Sequence, residues 1–143
     1  MSMVDISDKQ ITKRVARAEG KIVFSPAAFK IFSKQGSPKG NVLETAKLAG
    51  IMAAKNTPDL IPLCHPLALE KVSVTFIQSK NTVKVISEVT CSGKTGVEME
   101  ALAAVSAACL TIYDMMKFAG QDMTIGEIRL MHKSGGKSGV YNR

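Results

Sequence analysis

The chain has 143 residues, 45% of them hydrophobic and 22% charged, a composition typical of a soluble globular protein. This length predicts one domain over residues 1–143 with a substantial core. No apolar run approaches the roughly 20 residues needed to span a bilayer. The N-terminus (Met1–Asp5) lacks the pattern of a signal peptide, so we expect a cytoplasmic protein without a membrane partner.

The net charge of +7 predicts an anionic partner. The basic residues are spread along the chain and only 5% of residues are aromatic, so stacking platforms for nucleic acid are poorly supplied. These features favour a phosphorylated small molecule over nucleic acid. The three cysteines form no Cys-x-x-Cys pair and only two histidines are present, so we expect reduced thiols and no metal site.

The chain is expected to begin with a strand and a helix. Residues 11–24 alternate loosely and contain β-branched side chains, which predicts a strand with a kink at Gly20. Ser25 is a good N-cap residue and Pro26 suits the first helical position. The helix is therefore expected to run from Pro26 to near Gln35.

A second helix is expected between Lys39-Gly40 and Asn56, where apolar and small residues recur at helical spacing. Three prolines lie close together in the segment that follows, at positions 58, 62 and 66. Proline suits neither a helix interior nor a central strand, so residues 59–66 are expected to form a stiff loop.

The second half of the chain predicts a hairpin, a long helix and a last strand. Residues 69–78 and 82–91 are the two strands of the hairpin. The helix is expected from residue 94 or 95 to Phe118, with Gly120 directly after its C-terminus. The last strand covers residues 123–132.

A segment rich in lysine, serine and glycine, residues 133–143, is expected to be a flexible tail. Because helices and antiparallel hairpins are mixed, an α+β fold fits better than a doubly wound α/β fold.

Two short segments resemble the end of a phosphate-binding loop: Ser92-Gly93-Lys94-Thr95 and Gly136-Lys137-Ser138. The full pattern needs a glycine five residues before the glycine of Gly-Lys, but those positions hold Glu88 and Met131. A phosphate-binding loop is therefore rejected. The first segment still has two interpretations. It is either a helix N-terminus that bears Lys94 and binds an anion, or a simple turn that connects a strand to a helix.

Three acids lie on the long predicted helix: Glu98 and Glu100 near its start and Asp114 near its end. Glu100 and Asp114 share one face, but 14 residues separate them by roughly 21 Å at about 1.5 Å per residue. One small substrate could hardly touch both within a single helix. If both are catalytic, two subunits must share the pocket. The alternative for the first two acids is favourable charge at a helix N-terminus.

Asp114 and Lys117 are neighbours on the helix and can form a surface salt bridge or an acid–base pair. The apolar residues around them predict burial, which would tune both pKa values. His65 lies in the proline-stiffened loop. It is either a structural residue or a rigid proton donor or phosphate contact.

Four further cations are candidates for binding a phosphorylated ligand. Lys39 precedes a glycine, which permits close approach of a ligand, although a solvated loop lysine is the ordinary reading. Arg14, Lys133 and Lys137 are candidates on charge alone. The alternative for Arg14 is an ordinary exposed strand residue, and the alternative for Lys133 and Lys137 is a flexible tail without a binding role.

These residues, in this order, resemble the MoaC family of molybdenum cofactor biosynthesis. The resemblance covers nearly the whole chain, and its most specific blocks are Leu-Cys-His-Pro and Thr-Gly-Val-Glu-Met-Glu. The matching stretches are residues 3–7, 16–19, 39–42, 49–55, 60–67, 93–102, 110–115 and 133–139.

The resemblance implies a ferredoxin-like antiparallel sheet with helices on one face, assembled as a homohexamer, a trimer of dimers, with active sites between subunits. It also implies a lyase that converts (8S)-3′,8-cyclo-7,8-dihydroguanosine 5′-triphosphate to cyclic pyranopterin monophosphate and releases pyrophosphate. No redox cofactor is expected, and the role of magnesium with the triphosphate is left open.

Matching residue by residue, the resemblance implies that Asp114 is the acid–base residue and that Lys117 and Lys39 serve proton transfer and substrate binding. The implied substrate-binding positions are Leu63, Cys64, His65, Met99 and Glu100, followed by Glu98, Arg14 and Lys133. Asn41 stands where many members have Asp, which matters little because either residue caps a helix.

A mechanism follows as a hypothesis. Arg14, Lys133 and Lys137 would hold the triphosphate while Asp114, Lys117, Lys39 and His65 move protons. A ribose-derived hydroxyl then attacks the α-phosphorus. The rival hypotheses are a binding module for nucleotides or RNA, which leaves the paired acids unexplained, and a phosphotransferase, which the two failed phosphate-loop matches weaken.

Overall fold

The computed structural model describes residues 1–143. It is an α+β fold, as predicted. In chain order, its elements are β1 (Thr12–Val23), α1 (Pro26–Lys34), α2 (Val42–Lys55), α3 (Thr57–Leu60), β2 (Lys71–Ser79), β3 (Thr82–Gly93), α4 (Glu98–Met116), β4 (Thr124–Ser134) and β5 (Tyr141–Asn142).

The five strands form one antiparallel sheet in the order β2-β3-β1-β4-β5. The central pair, β1 and β3, stays in register from Thr12 opposite Gly93 to Val23 opposite Thr82. Every second residue of β3 is buried, so one face of the sheet is apolar: Val83, Val85, Ser87, Val89 and Cys91.

Helices α2 and α4 cover the apolar face and pack closely against each other. A Cβ added at Gly50 would lie only 2.9 Å from the Ala104 carbonyl oxygen, so glycine permits this close approach. Helix α4 is long and apolar enough to span a membrane by length and composition. Its inner stripe is buried in the core, so it is a core helix: Val105, Cys109, Ile112 and Met116.

The predicted bounds of α4 were wrong at both ends. Strand β3 continues through Gly93, which pairs with Thr12, so residues 94–97 are needed as the connection and the helix begins at Glu98. At the other end Lys117 is the C-cap residue, and Gly120 does not directly follow the helix. Pairing between distant strands, which local sequence does not encode, therefore sets where this helix begins.

The proline-rich segment and the C-terminal segment are more ordered than predicted. Helix α3 is a single turn, and Pro58 lies at its start, where the missing N–H of proline costs no hydrogen bond. Strand β4 runs to Ser134, and β5 pairs back onto it at His132 and Lys133. The end of the chain is therefore attached to the sheet rather than free.

Gly20 does not kink β1, which is continuous. Instead, the pairing of β1 with β4 shifts register between Glu19 and Lys21. A Cβ at Gly20 would lie 2.6 Å from a methyl group of Val105, so glycine is required where α4 crosses the strand.

Candidate active site

The candidate site residues lie at the two ends of α4. Glu98, Met99 and Glu100 form its first turn. Around that turn lie residues of the proline-rich loop, β1 and β4: Leu63, Cys64, His65, Arg14 and Lys133. Asp114 lies near the other end, where it contacts Lys117 and Lys39. The rise of the helix separates Glu100 from Asp114 by roughly 21 Å.

A cavity of about 350 Å³ opens beside the first turn of α4, and we call it the Glu100 cavity. Six predicted site residues line it: Leu63, Cys64, His65, Glu98, Met99 and Glu100. The loop side of the cavity is fixed by a short turn in which the Cys64 N–H donates to the Ile61 carbonyl at 3.0 Å. The flanking Pro62 and Pro66 restrict the backbone further.

Glu100 is a buried acid with only 3% of its surface exposed. Burial raises the pKa of its carboxyl group, and the nearby charge of Glu98 raises it further. Burial and the neighbouring Glu100 also raise the pKa of the Cys64 thiol. Glu100 is therefore suited to hold a proton against a ligand, whereas Cys64 is a neutral thiol and not an activated nucleophile.

The imidazole of His65 is held from outside the loop. Its Nε2 atom lies 2.8 Å from the carbonyl oxygen of Val4, near the N-terminus. A carbonyl oxygen can only accept, so Nε2 carries a proton. In the neutral ring, Nδ1 is then the nitrogen with a free lone pair.

A second, smaller cavity of about 150 Å³ adjoins the first, and we call it the cation pocket. Four cationic side chains line it: Lys9, Arg14, Lys94 and Lys133. Its one acid is Glu98, which pairs with Lys133 at 3.0 Å. Because Glu98 lines both cavities, the two form a continuous surface with cations at one end and a buried acid at the other.

Arg14 contacts two backbone carbonyl groups at the edge of the cation pocket. Its Nε atom donates to the Gly93 carbonyl at 3.3 Å, and Nη1 donates to the Gly135 carbonyl at 3.4 Å. Gly136 has a positive φ of 75°, and a side chain there would collide with the guanidinium group. The glycines after β4 therefore allow the C-terminal segment to pack against Arg14.

At the other end of α4, Asp114 forms two ion pairs, and we call these three residues the Asp114 cluster. Its carboxylate lies 2.8 Å from Lys117 Nζ and 2.6 Å from Lys39 Nζ. These contacts, with Lys117 first, lower the pKa of Asp114 to about 2. The same contact raises the pKa of Lys117. At neutral pH the cluster is one carboxylate between two ammonium groups.

The connection between α1 and α2 brings Lys39 to Asp114. The Ser37 hydroxyl donates to the Met115 carbonyl at 2.7 Å, which fastens the connection to the end of α4. Gly40 has a φ of 113°, a conformation that favours glycine, and it closes a tight turn onto Ser37. Lys39 lies inside this turn and points its ammonium group at the helix end.

The predicted burial of Asp114 and Lys117 was wrong for the single chain. Half of the Asp114 side chain and 56% of the Lys117 side chain are exposed. The neighbouring Met115 and Met116 point into the core, while Asp114 and Lys117 lie on the opposite side of the helix. The shifted pKa values therefore come from pairing and not from desolvation.

Residues 3–136 match the model that describes the MoaC family. This match covers far more than half of the chain. The chain belongs to the MoaC family.

Individual MoaC relatives align over nearly the whole chain. The cyclic pyranopterin monophosphate synthase of Parvibaculum lavamentivorans is 57% identical over 141 residues, covering 97% of this chain and 88% of the relative. The protein of the same name from Staphylococcus aureus is 53% identical, covering 99% and 89%. Cyclic pyranopterin monophosphate synthase 1 of Mycobacterium bovis is 52% identical, covering 99% and 84%.

The structure of this MoaC member places the predicted site residues in two groups, one at each end of α4, and leaves Lys137 outside both. Lys137 is exposed and forms no ion pair or hydrogen bond with another side chain. Conversely, Lys9 lines both cavities and Val4 binds His65, yet neither was a candidate. No local motif marks either residue, because their roles depend on how the N-terminal segment folds back over α4.

The buried carboxyl group of Glu100 gives a pH-dependent stability. A folded-state pKa above the usual 4.5 means that folding favours the protonated form, so stability falls as pH rises through the folded-state pKa. Glu100→Gln has no carboxyl group at this position and therefore removes this pH-dependent loss of folding stability. We expect the variant to have nearly the wild-type Tm at pH 4 and a Tm a few degrees higher at pH 8, measured by thermal unfolding.

The matched control for this experiment is Glu44→Gln. Glu44 is an exposed acid on α2 that pairs with Lys47. The Glu44→Gln substitution should change the Tm little at either pH, because an exposed ion pair contributes little to stability. A Glu100→Gln variant whose Tm difference from wild type is the same at pH 4 and pH 8 would contradict the assignment of a raised pKa.

Proposed function

We propose that this chain is a cyclic pyranopterin monophosphate synthase of molybdenum cofactor biosynthesis, acting in the cytoplasm. Its substrate is (8S)-3′,8-cyclo-7,8-dihydroguanosine 5′-triphosphate and its products are cyclic pyranopterin monophosphate and pyrophosphate. The observation that carries the proposal is an identity above 50% to proteins of that name over nearly the whole chain. The two groups of charged residues at the ends of α4 supply suitable chemistry.

The proposal places the triphosphate in the cation pocket. Arg14 and Lys133 lie there on rigid strands, and their charges would stabilise the pyrophosphate as it leaves. Lys137 lies in the segment after β4 and would approach the same phosphates. The pterin-forming part of the substrate then lies in the Glu100 cavity, between the Leu63–His65 loop and the first turn of α4.

Proton transfer is assigned to Asp114, Lys117, Lys39 and His65. The pKa of Asp114 near 2 keeps it ionised at neutral pH, so it is assigned as the proton acceptor, and Lys117, whose pKa is raised, stays charged and is assigned as a donor. These groups move protons while the imidazole part of the purine opens and the pterin ring closes. A ribose-derived hydroxyl then forms a bond to the α-phosphorus, the bond to the bridging oxygen breaks, and pyrophosphate departs, which is a phosphorus–oxygen lyase reaction.

The proposed fold family is ferredoxin-like and the proposed assembly is a homohexamer, a trimer of dimers. The order of elements, β1, helices, β2, β3, α4 and β4, supports the first part because it is the β-α-β-β-α-β order. The separation of roughly 21 Å between Glu100 and Asp114 supports a site between subunits, since a helix is too stiff to bring its own ends together. In this assembly, the Asp114 cluster of one subunit faces the Glu100 cavity of another.

The proposal is tested by incubating the purified protein with the cyclic dihydroguanosine triphosphate. Mass spectrometry is expected to detect cyclic pyranopterin monophosphate, and a coupled assay to detect one pyrophosphate for each product molecule. Omission of the protein is the control. Salt-dependent binding of long RNA without any turnover would reject the enzyme and favour a nucleic-acid-binding module, to which the charge of +7 also points.

A further inference from the structure

The N-terminal segment crosses the Glu100 cavity, and we call residues 3–9 the strap. The strap contains no helix or strand, and its backbone is folded only by two local contacts, from Ser7 to the Asp5 carboxylate and from the Lys9 N–H to the Ile6 carbonyl at 3.1 Å. Val4, Ile6 and Lys9 point into the cavity that also contains Cys64 and His65. The strap therefore forms one wall of the cavity although it belongs to no packed element.

Two hydrogen bonds fasten the strap to the protein. His65 Nε2 donates to the Val4 carbonyl at 2.8 Å, and Lys94 Nζ donates to the Ser7 carbonyl at 2.6 Å. Within the strap only Ile6 is partly buried. Because so little apolar surface is buried, these two polar contacts determine where the strap lies.

One interpretation of the sequence places Lys94 at a helix N-terminus, where it would bind an anion. The helix begins four residues later, at Glu98, and the ammonium group of Lys94 binds a backbone carbonyl instead. Lys94 lies in the connection between β3 and α4, whose ends are fixed by the sheet and by the core. Lys94 is thus a hydrogen-bond donor on a well-fixed connection, and it binds the strap, which has few contacts of its own.

We propose that Lys94 is a positioning residue that holds the strap closed over the Glu100 cavity. With the Ser7 carbonyl held, the Val4 carbonyl stays beside His65 and keeps the ring oriented with Nδ1 as its free acceptor. With the strap released, His65 loses this orientation and Cys64 becomes open to solvent. The kinetic consequence rests on the proposed function, but the closure of the strap does not.

Cys64 provides a direct measure of closure. It is partly exposed within the cavity, whereas Cys91 and Cys109 are 1% and 0% exposed and serve as internal references for unfolding. Alkylation by iodoacetamide is followed residue by residue with mass spectrometry. Lys94→Met is expected to raise the Cys64 rate about fivefold, and deletion of residues 2–8 is expected to raise it at least as much.

Two variants control this experiment. Lys94→Arg keeps a donor and should restore most of the protection. Lys80→Met removes one positive charge from the exposed turn between β2 and β3 and should leave the Cys64 rate at the wild-type value. A wild-type Cys64 rate after deletion of residues 2–8 would overturn the strap as a cover. A wild-type rate in Lys94→Met, with a faster rate in the deletion, would overturn the role of Lys94.

Kinetics separates positioning from direct substrate contact. Lys94→Met and the deletion are each expected to lower kcat/KM about tenfold, and the double variant should be no worse than the deletion alone, because both act through one segment. Additive losses would mean that Lys94 binds the substrate directly and would overturn the proposal. If the wild-type protein shows no turnover, the proposed function fails, while the alkylation rates still decide whether the strap closes.

Discussion

Asp114→Asn is expected to lower kcat about 10³-fold, the range found for loss of a general acid or base, while the protein stays folded. The side chain is half exposed at the end of α4, so its replacement leaves the core intact. Asn has nearly the same shape but cannot accept a proton. It also leaves Lys39 and Lys117 without their shared negative charge. Steady-state rates of product formation and thermal unfolding measure the two effects separately.

A matched control comes from α2, where Glu44 and Lys47 form a pair with the same spacing as Asp114 and Lys117. Glu44→Gln removes one acid from a helical ion pair outside both cavities and should leave kcat unchanged. If Asp114→Asn keeps more than about a tenth of the wild-type kcat, Asp114 does not transfer the proton.

Two inactive variants are expected to restore activity when they are mixed in one oligomer. Glu100→Ala damages one end of α4 and Asp114→Asn damages the other. If each site takes Glu100 from one subunit and Asp114 from another, random mixing in equal amounts restores about one quarter of the sites. Co-expression of the two variants with different tags, followed by purification on both tags and a rate assay, measures this recovery.

The control mixture combines Asp114→Asn with Lys39→Ala. Lys39 and Asp114 contact each other within one chain at 2.6 Å, so each site receives both residues from the same subunit. Every site then contains one defect, and no activity should return. Absence of recovery in the Glu100→Ala and Asp114→Asn mixture would rule out a site shared between subunits.

Local sequence predicted the elements that depend on local signals. Ser25 caps α1 through a hydrogen bond to the Ala28 N–H, and Asn41 caps α2 through the Glu44 N–H, as the sequence indicated. The hairpin of β2 and β3 and the mixed α+β class also follow from periodicity and turn residues. These features are encoded within a few residues of where they appear.

Features that depend on distant parts of the chain were missed or misplaced. The predicted start of α4 was wrong because Gly93 pairs with Thr12, 81 residues away in the chain, and this pairing extends β3. The predicted burial of Asp114 was wrong because the two methionines that follow it turn toward the core, whereas Asp114 does not. The partner of His65 is a backbone carbonyl of Val4, and a backbone carbonyl carries no signature in sequence.

The sequence singled out candidate site residues but did not indicate how they would be arranged. The distance between Glu100 and Asp114 follows from helix geometry alone, and the structure keeps both residues on one unbroken helix. By contrast, local patterns gave no sign that Lys9 and Lys94 would meet Arg14 and Lys133 in one pocket. Such convergence depends on the sheet and on the folded N-terminal segment.

The unbroken course of α4 has a consequence for how this chain can vary over evolution. Each residue advances an α-helix by about 1.5 Å and turns it by about 100°. One residue gained or lost between Glu100 and Asp114 would thus rotate one end relative to the other by more than a quarter of a turn. Exposed side chains of α4 can change without this effect, but the number of residues between Glu100 and Asp114 cannot, because that number sets the angle between the two acids around the helix axis.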